Sequence, residues 1–119
     1  MTGYLESGQG RWAEAVAAGR RSVQLAWERH AHLPLAMALW NLPQPLVTLG
    51  EVEAGARLMS FAAAFWERSI GPLSASDAAT VDEVRRAAVD RLGPDRVAAL
   101  WEEGAGLALP EAVRLAIVP

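Results

Sequence analysis

The chain has no cysteine and no lysine, one tyrosine, two phenylalanines, two histidines, and few isoleucines or threonines. Without cysteine, disulfides and thiolate metal sites are excluded, and the redox character of the compartment stays open. Without a run of alternating β-branched residues there is nothing from which to build a half-buried strand. A clustered positive surface is also missing. The net charge is −3, and the only adjacent basic pairs are Arg20-Arg21 and Arg85-Arg86. Phosphate recognition needs concentrated positive charge, so nucleic acid is not expected as a direct partner. The N-terminus lacks the basic start and apolar run of a secretory signal, and a cytoplasmic location is expected. All eleven basic residues are arginines, which points to a GC-rich coding bias more than to a chemistry.

What is present is apolar and helix-forming. Of 119 residues, 52% are hydrophobic and mean hydropathy is slightly positive, which argues against disorder. A chain of this length forms one domain, 1–119, burying roughly two-thirds of its unfolded surface. Alanine dominates, as expected of an all-α fold. The stretch from Leu33 to Leu49 carries no charge and comes close to a membrane span in length. Pro43 and Pro45 remove backbone donors that hydrocarbon could not satisfy, so a kinked core helix is the expected structure and no membrane contact is implied.

The chain also matches itself. Ala15 precedes Trp27-Glu28-Arg29 by twelve residues, Ala54 precedes Trp66-Glu67-Arg68 by the same interval, and the two segments are offset by 39 residues. Repeats of this period are typical of helical arrays whose units bury their apolar faces on their neighbours.

Periodicity and breakers divide the chain. Trp12, Ala15, Val16, Gly19, Val23, Ala26, Trp27 and His30 form one helical stripe over Arg11–His32. Gly19 on that stripe costs about 1 kcal/mol against alanine, which close approach of another helix would offset. Pro34 opens a helix that should break at Pro43-Gln44-Pro45 and close at Gly50 in a left-handed cap. A helix from Glu51 to Ile70 has apolar residues wide enough to be covered on two sides, with Glu53 and Arg57 pairing at i,i+4 on the rest. Ser74 or Ser76 caps a helix reaching Leu92. Gly93-Pro94 stops it and starts a short helix, Asp95–Glu103. A Gly104–Gly106 loop follows, and Pro110 begins the last helix.

"GRWAEAV" and "LGEVEAGARLM" resemble the turn and packing alanine of tetratricopeptide (TPR) units. The stretch "LGEVEAGARLMSFAAAFWERSIGPLSASD", then "VRRAAVDRLG" and "LWEEGAGLALPEAVRLAI", resembles the C-terminal helical tail of large bacterial LuxR-type and related NTPase-containing transcriptional regulators. Trp101, Gly104, Leu107 and Glu111-Ala112-Val113 carry the terminal part of that likeness. It implies TPR-like helix pairs over 10–70 and capping helices over 74–118, about five helices in all. It does not bring the family's NTPase or DNA-binding activity with it, because those modules are not in this sequence.

Little in the sequence suggests chemistry. His30 and His32 are two residues apart, on different faces, with no carboxylate four residues further on from either. Ser74 and Ser76 have no histidine nearby, and the glycines fit neither a nucleophile elbow nor a phosphate loop. The expectation is therefore a non-catalytic protein-interaction or signal-coupling module without metal or cofactor. Its partner would be the preceding repeats of a parent regulator, or a second copy forming a homodimer. The expected interaction stripe is Trp12, Val16, Gly19, Val23 and Trp27, with one flank left bare. The alternative is a small-molecule sensor whose groove lies at the proline kink, lined by Trp40, Asn41 and Gln44.

Overall fold

A computed structural model describes residues 2–118, with side-chain surroundings for 10–118. The described residues form seven helices and no strand: α1 (Thr2–Glu28), α2 (His32–Asn41), α3 (Pro43–Leu49), α4 (Val52–Ser69), α5 (Ala75–Leu92), α6 (Pro94–Ala105) and α7 (Leu109–Ile117). The all-α expectation holds. The count exceeds about five partly because the charge-free run is split at Leu42 into α2 and α3, with Pro43 and Pro45 in the first turn of α3. Neither piece is long enough to span a bilayer, and no helix among the described residues is long and apolar enough to do so.

The breaks follow from local chemistry. Gly50, at φ 106°, ends α3. Its N–H donates to Val47 O and the next N–H, of Glu51, donates to Leu46 O, so two otherwise orphaned carbonyls are satisfied. The same pair of bonds ends α1, from His30 to Trp27 O and from Ala31 to Ala26 O. There the left-handed position is held by His30, at φ 54°. The first break therefore comes at His30, three residues before the expected Leu33. Ser74 caps α5 by accepting from the Asp77 N–H at 3.0 Å. Gly93, at φ 88°, joins α5 to α6 with no intervening loop.

α4 is the central element. Val52, Ala56, Leu58, Met59, Phe61, Ala62 and Phe65 are all buried on it, more than one helix face can hold, and α2, α3, α5, α6 and α7 all pack around it. Two glycines set the closest crossings. A Cβ on Gly55 would run into Val47 of α3 and lie 3.1 Å from Pro43 O. A Cβ on Gly104 would run into Arg57 O of α4 and lie 2.9 Å from Ser60 Cβ. Gly104 was expected in a loop, yet it and Ala105 belong to α6. Its helix-propensity cost is offset by the backbone contact it permits.

The two ends of the chain also meet, because α7 packs against α1. The Arg20 side chain fixes this contact, donating from Nε to Ala116 O at 3.3 Å and from Nη2 to Glu51 Oε2 at 3.2 Å. A stack in which each unit touches only its neighbours would not bring its first and last helices together. In this respect the molecule departs from the open array suggested by the repeat.

Candidate functional site

The expected stripe on α1 is largely consumed by the protein's own core. Val16 and Val23 are buried, at 2% and 0% exposure. Gly19 lies under Leu42, whose Cδ1 would sit 2.8 Å from an added Cβ. The bare flank expected there does not exist at these three positions, because α3 and α7 cover the side that α2 leaves open. Trp27 is half-buried against the core, and Trp12 is the one exposed member of the set.

The three residues expected to line a groove at the proline kink diverge. Trp40 packs on Trp66, ring centroids 5.8 Å apart. Asn41 faces a concavity shared with α1. Gln44 faces a depression of only about 80 Å3, beside Thr48 and Glu83. The break at Leu42 turns α3 away from α2, so these neighbours in sequence look in different directions.

A concavity of about 480 Å3 opens between α1 and α2, with Ser22, Leu25, Arg29, Pro34, Met37 and Asn41 among its lining residues. On each helix these residues recur at three- and four-residue spacing, so each wall is a single helical face. Of these, Leu25 and Met37 are nearly half exposed. The charged groups are sparse. The only ionisable residue among the lining residues is Arg29, and α2 carries no charge after His32. Neither Leu25 nor Met37 belongs to the interaction stripe or the groove expected from the sequence. A leucine isolated among Arg21, Glu28 and Arg29 was the available signal.

A second hollow of about 470 Å3, between α4 and α7, is lined by Arg57, Leu107, Glu111, Arg114, Leu115 and Val118. Two of its charged groups are already engaged. Arg57 donates to Glu103 Oε2 at 2.8 Å, and Glu111 accepts from the Ala108 N–H.

The carboxylates hold helices together. Glu53 pairs with Arg96 at 3.1 Å and Arg57 with Glu103, so both partners of the expected Glu53–Arg57 pair reach from α4 to α6 instead. The hydrogen bond from Arg96, then its charge, holds the Glu53 carboxyl below its ordinary range, and the Arg96 guanidinium is raised in turn. His30 is exposed, and His32 lies edge-on to Phe65 with centroids 5.4 Å apart. Among the described residues no three of histidine, aspartate and glutamate lie close enough to hold a metal ion. No family model, curated protein or solved structure matches this chain.

Proposed function

We propose that this chain is a non-catalytic protein-interaction module that receives a partner along the α1/α2 groove, with α1 as the second helix of one TPR-like unit and α2 to α4 as the helix pair of the next. One observation carries the reading. Two of the exposed large apolar side chains, Leu25 and Met37, line one mainly apolar concavity on a regular two-helix surface. Grouped apolar exposure with a polar surround marks interaction sites, whereas scattered exposure does not. The likeness of the second half to regulator tails supports the same class, a module that couples a signal to other domains by contact.

Titrating the protein with amphipathic helical peptides should shift NMR amide resonances over 22–29 and 34–41. Leu25→Asp with Met37→Asp should abolish those shifts while leaving helix content unchanged. Shifts that map elsewhere, or none, would refute the reading. A small apolar effector is the second reading. It is favoured by a volume of about 480 Å3, within the usual range of ligand pockets, and by Ser22 and Asn41 as polar groups in the lining.

A further inference from the structure

We infer that the groove is built for one amphipathic helix of another protein, bearing a carboxylate for Arg29, and not for a second copy of this chain. This rests on the groove being the binding surface and adds the identity of the occupant.

Shape restricts the occupant first. From Ser22 to Arg29 the α1 wall runs two turns, about 10 Å. Pro34 to Asn41 matches it on α2. Two neighbouring helix faces of equal length form ridges with a channel between them, which accepts a third helix with apolar residues at i, i+3, i+4 and i+7.

Charge restricts it further. Arg29 takes part in none of the ion pairs among the described residues, which join Arg20 to Glu51, Arg57 to Glu103 and Arg96 to Glu53. The lining contains no acid, so the complementary surface is apolar with one carboxylate at its end. A second copy supplies the wrong charge. Arg21 and Arg29 lie one turn on either side of Leu25. A two-fold antiparallel contact of α1 with its copy through Leu25 would set each Arg29 against the other copy's Arg21. Glu28, the nearest acid in sequence, is not among the lining residues and accepts from Gln24 Nε2 at 3.3 Å.

The test uses the full chain and two synthetic helical peptides with leucines at i, i+3, i+4 and i+7. One has glutamate a turn beyond the last leucine, and the other has lysine there. Fluorescence anisotropy should show the glutamate peptide binding about fivefold more tightly, as expected for one partly exposed ion pair, with the preference shrinking as salt is added. Arg29→Glu should reverse the order and Arg29→Gln should erase it, circular dichroism confirming that both variants are folded. If both peptides bind equally and Leu25→Asp blocks both, the inference fails while the groove reading stands. If neither binds, both fail. A dimer seen by light scattering and dissolved by Leu25→Asp would assign the groove to a second copy and overturn the inference.

Discussion

At the scale of single residues, glycine decides where helices can touch. Gly55 and Gly104 sit inside helices at a propensity cost of about 1 kcal/mol each, and both stand where a methyl group would strike a neighbouring helix. Gly104→Ala should therefore destabilise the fold by about 2 kcal/mol, since overpacking against rigid backbone outweighs the propensity gained. Gly10 is the control. Nothing lies within 4 Å of its added Cβ, so Gly10→Ala should stabilise the protein by up to about 1 kcal/mol. Urea denaturation of the two variants tests the contrast, and loss of similar size in both would show that close crossing is not what Gly104 provides. His30 presents the opposite case, a side chain where glycine is preferred. At φ 54° it occupies the left-handed cap of α1 and is exposed. His30→Gly should raise stability by about 0.5–1 kcal/mol, relief of backbone strain exceeding the added freedom of the unfolded chain. An unchanged or lower denaturation midpoint would count against it.

At the scale of elements, the helix ends were legible and the helix partners were not. Proline and glycine act through their own backbone, so Pro43, Gly50, Gly93 and Pro94 announced their breaks without knowledge of the fold. His30 gave no such signal, which is why the first break was placed at Leu33. Contacts between elements depend on residues far apart in sequence. The pairing of Glu53 was read within α4, where Arg57 is one turn away, yet Arg96 on α6 lies closer in space and takes the bond. The groove was hidden for the same reason. Leu25 and Met37 look like stray apolar residues until α1 and α2 are laid side by side. The α4–α6 pairing makes a pH-dependent contribution whose sign follows from the depressed Glu53 carboxyl. Its stabilisation is complete above the pKa of glutamate in the unfolded chain and is lost as pH falls through the folded value. Glu53→Gln should lower the melting temperature slightly at pH 7, and the difference from wild type should shrink as pH falls below the ordinary glutamate range and vanish once the folded carboxyl is protonated. A difference that persists in acid would show that the carboxyl acts by packing alone.

At the scale of the whole molecule, the contact between α1 and α7 distinguishes this fold from an open stack. It has consequences for how interaction can be probed. Val23 is fully buried, so Val23→Glu would place a charge inside the core and unfold the chain rather than separate two copies of it. Disruption of a surface contact must instead be sought at Leu25 or Met37. One polar side chain spans the closure. Arg20 is largely shielded and reaches both Ala116 O near the end of α7 and the Glu51 carboxylate at the start of α4, so three segments widely spaced in sequence are held at one point. Arg20→Ala removes both bonds and should cost about 1–2 kcal/mol, below the full value of buried charged hydrogen bonds because Glu51 remains partly in water. Arg20→Lys keeps the charge but loses the fork that bonds two acceptors at once, and should recover less than half of that loss. Hydrogen exchange localises the effect: in Arg20→Ala the amides of α7 should exchange faster while those of α4 stay protected. Uniform acceleration across all helices would mean that Arg20 contributes to the general core and does not act as the clasp between the two ends of the chain.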